Sequence, residues 1–151
     1  MMVTDACGVL GVGYEGREVA EFVADLADRG VTRLVDVRLT PISRKRGFSK
    51  TALRQALAEV GIAYDHRREL GNPKENRPGF AGSESELRHA KAAFADLLTR
   101  DDASRTLDEI RDCLRYERVA LLCFEADQRR CHRDVVLTEI LRRFRLGAST
   151  L

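Results

Sequence analysis

The chain has 151 residues, enough for one domain with a real core, and its 44% hydrophobic and 33% charged residues are ordinary for a globular protein. A formal net charge of +2 is too small to mark a nucleic-acid binder by charge alone. No apolar run approaches the roughly 20 residues of a membrane span, no basic-then-apolar leader opens the chain, and cysteines at 7, 113, 123 and 131 form no disulfide framework. The expectation is a cytoplasmic protein with reduced thiols and no membrane partner.

Gly8 to Gly13 alternates small and apolar residues and reads as a first strand. Tyr14-Glu15-Gly16-Arg17 is a turn. Val19, Phe22, Val23 and Leu26 recur at helical spacing, with Gly30 as the stop. Val31 to Arg38 reads as a second strand, which completes a βαβ unit with a right-handed crossover. Thr40 to Phe48 is a basic loop broken by Pro41 and Gly47. Ser49 is placed to cap a helix whose apolar face is Leu53, Leu57 and Val60, closed by Gly61.

Ile62 to Leu70 resembles a third strand, but its charged second half, Asp65-His66-Arg67-Arg68-Glu69, predicts an edge position or an early end. Gly71 to Gly82 is a loop with two Pro, three Gly and two Asn, long enough to be functional. Ser83 and Glu86 form a capping box before a helix with Leu87, Ala90, Phe94, Leu97 and Leu98 inward. Ala103, Leu107, Ile110 and Leu114 mark another helix. Residues 118–123 form a buried strand, and Asp134 to Arg145 a last helix with Arg142, Arg143 and Arg145 in its final turn.

The order β-α-β-α-β-α-α-β-α predicts a single small α/β domain over residues 1–151. It is a three-layer fold, Rossmann-like or rhodanese-like, with a mainly parallel sheet and helices on both faces. Ligands of such sheets bind beyond the carboxyl ends of the strands. The segments expected there are Tyr14–Arg17, Asp36–Phe48, His66–Arg77 and Cys123–Arg133. They hold most of the chemistry-bearing side chains, so they are predicted to share one rim.

Cys131-His132-Arg133 stands at a helix start, where peptide dipoles and arginine favour a thiolate. Cys131 is then a candidate nucleophile, His132 an acid or base, and Arg133 an anion clamp. The bland alternative is a packed thiol and a capping imidazole. Cys123 ends an apolar strand and is most simply a core residue. It also has the strand-Cys-loop-helix layout of a rhodanese and, with Arg129, the C-x5-R spacing of a Cys-dependent phosphatase. Glu125 and Asp127 put negative charge where such loops cradle an anion with backbone amides, which argues against phosphate transfer by Cys123. Glu125 fits better as a general base or an arginine partner.

Gly11, Gly13 and Gly16 match the dinucleotide fingerprint G-x-G-x-x-G, with Asp36 ending the second strand, but Glu15 opposes a pyrophosphate. Arg38, Arg44, Lys45 and Arg46 are either a solvated face or a phosphate clamp. Tyr14 and Phe48 are candidates to stack on a base. Asp36 beside Arg38 is a catalytic acid or a loop-ordering ion pair. Cys123, Cys131 and His132 offer three zinc ligands with Asp127 a distant fourth, yet without the short C-x2-C pairs of structural zinc sites. No metal or cofactor is therefore assigned.

The segments Gly13-Tyr14-Glu15-Gly16-Arg17, Val35-Asp36-Val37-Arg38, Ser43 through Ser49, Leu70-Gly71-Asn72-Pro73, and Leu122-Cys123-Phe124-Glu125 through Cys131-His132-Arg133 make the sequence resemble a bacterial and archaeal family, domain of unknown function 488. The resemblance implies a compact α/β domain whose loops form one site. It names no substrate.

The leading expectation is an enzyme acting on an anionic, phosphate-bearing substrate, a nucleotide or nucleic acid. Cys131, His132, Glu125, Cys123 and Asp36 are the catalytic candidates. Tyr14, Glu15, Arg17, Arg38, Arg44, Arg46 and Arg133 are the binding candidates. The alternatives are a non-catalytic nucleic-acid or nucleotide-binding module using the same basic rim, and a rhodanese-like sulfur or redox protein.

Overall fold

The computed structural model describes residues 3–4 and 8–149. Cys7 lies outside them; Cys113, Cys123 and Cys131 are free thiols. The strands are β1 (Val3–Thr4), β2 (Val9–Gly13), β3 (Arg33–Asp36), β4 (Ala63–His66) and β5 (Val119–Cys123). The helices are α1 (Val19–Asp28), α2 (Lys50–Ala58), α3 (Glu84–Leu97), α4 (Asp101–Cys113) and α5 (Arg133–Ser149). The sheet order is β1-β2-β5-β3-β4. β2, β5, β3 and β4 run parallel, and β1 adds an antiparallel edge that the sequence pattern does not announce.

Strand alternation builds two cores. On β5, Val119, Leu121 and Cys123 face one helical layer with Phe94, Leu107, Ile110, Val136 and Ile140 from α3, α4 and α5. Ala120 and Leu122 face the other layer with Phe22, Leu26, Leu53 and Leu57 from α1 and α2. The three-layer α/β expectation therefore holds. Among the described residues no helix is long and apolar enough to cross a membrane.

Several boundaries differ from the sequence pattern for local reasons. β3 is shorter than Val31–Arg38 because the Val31 amide closes the end of α1 on Leu26, and the Arg38 amide turns back to the Asp36 carboxylate. β4 is both short and at the edge, as its charge predicts. Val60 lies beyond α2 and is exposed. Ser49 stands at the start of α2 without capping it, since its hydroxyl accepts from the Ser43 amide and donates to the Ser43 carbonyl. Ser83 and Glu86 form the expected capping box. Residues 71–82 contain two short 3-10 turns, Lys74–Asn76 and Pro78–Ala81. α5 runs on to Ser149, so Arg142 and Arg143 fall short of its last turn. They pair with Glu139, and Arg143 also reaches Asp108 on α4.

One feature of β2 positions the site. Gly11 and Gly13 leave its α5-side face bare, and the segment after β5 lies directly on it. A Cβ at Gly11 would overlap the Gln128 side chain, and one at Gly13 would overlap the Glu125 carbonyl. The Gln128 contact is the far end of a flexible side chain, which can shift at the cost of its bonds to Arg133 and Asp134, whereas the Glu125 contact is backbone. Gly13→Ala is expected to destabilise the protein by about 1–3 kcal/mol, the range of overpacking. Gly11→Ala should cost less. Urea unfolding of both variants checks the order.

Candidate functional site

A cavity of about 580 Å³ opens at the carboxyl ends of the parallel strands. Each of the four predicted segments contributes to its wall: Tyr14 after β2, Arg38 to Lys45 after β3, Asn72 and Arg77 after β4, and Cys123 to Glu125 with Arg130 to His132 after β5. The convergence follows from strand direction, because four parallel strands deliver four loops to one rim.

At the cavity floor Cys123, the last residue of the central strand, meets Cys131 and His132, which lead into α5. All three are buried, at 7%, 2% and 6% exposure. His132 Nδ1 lies 3.8 Å from Cys123 Sγ and 3.8 Å from Cys131 Sγ. Its Nε2 is 2.7 Å from the Val37 carbonyl, which accepts only, so Nε2 carries the proton and the Nδ1 lone pair faces the sulfurs. Phe94 fixes the ring edge-on, and the Arg133 amide donates to Cys131 Sγ at 3.5 Å. Glu125 Oε2 is 3.3 Å from Cys123 Sγ. The two sulfurs and Nδ1 lie within 4.8 Å of one another, close enough to share a metal ion. Asp127 does not join them, because its carboxylate accepts from the Arg129 amide.

The two thiols titrate apart. A hydrogen bond from Cys131 holds Cys123 well below the ordinary thiol range; burial opposes this and His132 reinforces it. Burial, then the neighbouring Cys123, pushes Cys131 well above that range. Burial works to lower His132, but the contact with Cys123 outweighs it and the net direction is up. Burial, then Cys123, raises Glu125.

The predicted binding residues divide. Arg38 and Arg44 line the cavity, with Arg44 exposed and Arg38 at its base. Tyr14 also lines it but stacks on Phe48 at 4.4 Å, and both rings are buried, so neither is free to stack on a base. Arg46 is exposed outside the lining. Arg17 turns to Glu21 and Asp25 on α1. Glu15 accepts from the Ala126 amide and ties two loops together. Arg133 is fully buried and off the cavity wall. Its Nε donates to Gln128, while Nη1 and Nη2 have no hydrogen-bond partner among the described residues, so it is no exposed anion clamp.

Asp36 is also off the cavity wall. It is fully buried, takes two hydrogen bonds from the Arg38 guanidinium at 2.9 and 2.7 Å, and accepts from the Tyr64 hydroxyl. Arg38 further donates to the Tyr14 hydroxyl and the Phe48 carbonyl. Burial opposes its charge, but Asp36 outweighs burial and raises its pKa. Burial and the Asp36 contact raise Tyr64 as well. This geometry is that of an ordering ion pair.

Residues that the sequence reading did not select complete the wall. Arg77 and Asn72 come from the Gly71–Gly82 loop with Phe80, and Arg130 holds that loop by donating to the Phe80 and Gly82 carbonyls at 3.2 and 2.6 Å. Phe124, 43% exposed, and Ile42, 73% exposed, form an apolar edge at the mouth. The Asn72-Pro73 dipeptide was the available signal for the loop. No sequence signal gives the direction of the arginines.

Two alternatives lose their physical basis in the segment after β5. The amides of Ala126, Arg129, Arg130 and Cys131 are bonded within the protein and so are taken from any anion cradle, and Arg129, the arginine of the C-x5-R spacing, pairs with Glu84 at the surface and is not in the cavity lining. The space over Gly11 and Gly13 that a pyrophosphate needs is filled by Gln128 and Glu125.

Fold and site thus define a three-layer α/β protein with a thiol–imidazole cluster under a basic collar. The chain belongs to the family described as domain of unknown function DUF488, whose model matches residues 18–140. No curated protein matches it. The crystal structure of a DUF442 protein from Shewanella putrefaciens CN-32, named as a candidate phosphatase, is 14% identical with a TM-score of 0.46, covering 99% of this chain and 69% of that one. So slight a likeness carries no functional argument.

Two outcomes follow from this geometry. Asp36→Asn leaves a buried guanidinium without its counter-charge and is expected to cost about 3–5 kcal/mol in urea unfolding. In folded, chelator-treated protein, iodoacetamide should modify Cys123 at pH values below the ordinary thiol pKa of about 8.5 and leave Cys131 intact. Mass spectrometry across a pH series reads this, and equal inertness of both thiols until unfolding would refute the split.

Proposed function

We propose that the protein is an enzyme acting on a small, anionic, phosphate-bearing ligand of mononucleotide size, with its reacting centre at the cavity floor. The observation that carries this reading is the charge of the lining: Arg38, Arg44, Lys45, Arg77 and Arg130 against the single carboxylate Glu125. Arg38, Lys45 and Arg130 are paired with Asp36, Glu18 and Glu84 off the lining, whereas Arg44 and Arg77 have no ion-pair partner among the described residues and Arg77 donates to the Asn72 carbonyl. Guanidiniums with free donors at a concave mouth suit the geometry of phosphate oxygens. Phe124 and Ile42 give an apolar edge for a planar body beside the phosphate.

The cavity volume favours a small ligand over a polymer, since about 300–1,000 Å³ is the range of pockets that enclose small molecules. A reaction centre is inferred from the chemistry beneath the collar. Cys123 and His132 face the space that the ligand's reactive group would enter, and Glu125 is the carboxylate placed to move a proton there. An anion-binding module would need the collar alone.

Isothermal titration with adenosine 5′-monophosphate and with pyrophosphate tests the reading. Both should bind, and Arg44→Ala and Arg77→Ala should each weaken binding roughly tenfold, the loss of one charged hydrogen bond of about 1.5 kcal/mol. No binding of either probe would overturn the proposal. Tighter binding of a single-stranded oligonucleotide, falling steeply with salt, would instead favour the nucleic-acid module.

A further inference from the structure

We infer that Cys123, Cys131 and His132 form a binding site for a thiophilic divalent cation of the zinc class, with one coordination position open to the cavity. The metal site stands on the geometry of these three side chains. Only its role in catalysis rests on the anion-site reading above.

The first argument is spacing. His132 Nδ1 is equidistant from the two sulfurs, at 3.8 Å from each. With zinc–sulfur bonds of about 2.3 Å and zinc–nitrogen bonds of about 2.05 Å, sulfur and nitrogen on one ion lie about 3.6 Å apart at a tetrahedral angle and about 3.8 Å apart at 120°. Both sulfur–nitrogen distances therefore match a shared ion, and all three ligand atoms lie within 4.8 Å of one another. An ordinary core thiol has no need to share one imidazole nitrogen with a second thiol.

The second argument is the outer shell. A metal-binding histidine is normally fixed by a carbonyl or carboxylate on its other ring nitrogen. Val37 supplies that carbonyl at 2.7 Å and leaves Nδ1 free to donate its lone pair to the ion. The Arg133 amide points at Cys131 Sγ, an interaction that stabilises a thiolate. Phe94 locks the ring.

The third is electrostatic. Two thiolates, a neutral imidazole and a divalent ion sum to zero charge, the arrangement least costly at a buried position. The soft sulfur ligands select zinc-class ions over magnesium or calcium. Three protein ligands with the fourth side toward a cavity is the pattern of catalytic zinc, whereas structural sites are closed by four. Glu125 lines the same cavity as the three ligands, with Oε2 3.3 Å from Cys123 Sγ.

The test is a cobalt(II) titration of the full, chelator-treated protein, followed by absorption. The expected result is one equivalent bound, a sulfur-to-cobalt charge-transfer band, tetrahedral ligand-field bands, proton release as the thiols ionise, and displacement by zinc. Cys123→Ser, Cys131→Ser and His132→Gln should each weaken binding by roughly 100-fold or more, at least the effect of losing an outer-shell partner. Cys113→Ser, on α4, should bind as the wild type does. Circular dichroism monitors the fold of each variant, and the wild-type titration stands without them.

Absence of a thiolate band in folded wild-type protein overturns the inference, as does a band that survives unchanged in both Cys123→Ser and Cys131→Ser. Adenosine 5′-monophosphate binding is measured on the same samples. Cobalt bound without nucleotide binding supports the metal site and sinks the anion-site reading. Nucleotide bound without cobalt does the reverse.

Discussion

The buried ion pair between Asp36 and Arg38 holds the carboxyl rim of the sheet together. Asp36 ends β3 and is reached by Tyr64 from β4; Arg38 reaches Tyr14 after β2 and the Phe48 carbonyl ahead of α2. His66 Nε2 lies 2.8 Å from the Arg38 carbonyl, drawing the end of β4 to the same point. The pair and its neighbours therefore fix three strand ends and a loop. Burying two charges costs several kcal/mol each before their attraction is counted. The return here is positional: the loops that wall the cavity leave from points that cannot drift independently.

A second constraint acts on the opposite wall. The chain after β5 must return across β2 to start α5, and it can do so closely only because Gly11 and Gly13 present no side chain there. That short path, Phe124 to Arg130, brings Cys131 and His132 back beside Cys123. Part of that path is tied down by its own amides: Ala126 to Glu15, Arg129 to the Asp127 carboxylate, and Arg130 to the Asp127 carbonyl. Backbone groups used for loop compactness are not available to cradle an anion, and the arginine and lysine side chains of the collar line the cavity.

The convergence of four segments on one rim was legible in the sequence, because the parallel direction of the strands follows from the alternation of strands and helices. Cys131-His132 at a helix start was legible for the same reason. Side-chain direction was not. Arg17, Arg46 and Arg133 look like Arg44 in the sequence, but Arg17 is drawn to the acids of α1, Arg46 points away from the cavity, and Arg133 is buried. For Tyr14 and Phe48 the sequence leaves base stacking and a core or loop anchor equally open, because nothing in one dimension shows that they stack on each other. Arg77 and Phe80 were hidden in a loop whose composition signals only irregularity; Arg130 fastens that loop by its carbonyls, a contact between residues about 50 apart in the chain.

The opposite titration of the two cysteines connects these constraints to chemistry. Cys123 sits where the Cys131 hydrogen bond and His132 both favour its anion, while Cys131 is left as the donor that must keep its proton. A second ionisation needs a new positive charge between the sulfurs, because Cys123 raises the cost of ionising Cys131 and burial adds to it. A divalent ion bound at this cluster would provide that charge and take the place of the shared proton. On the metal-site proposal, the closeness of the two sulfurs that lowers Cys123 and raises Cys131 is also what would let one cation bind both.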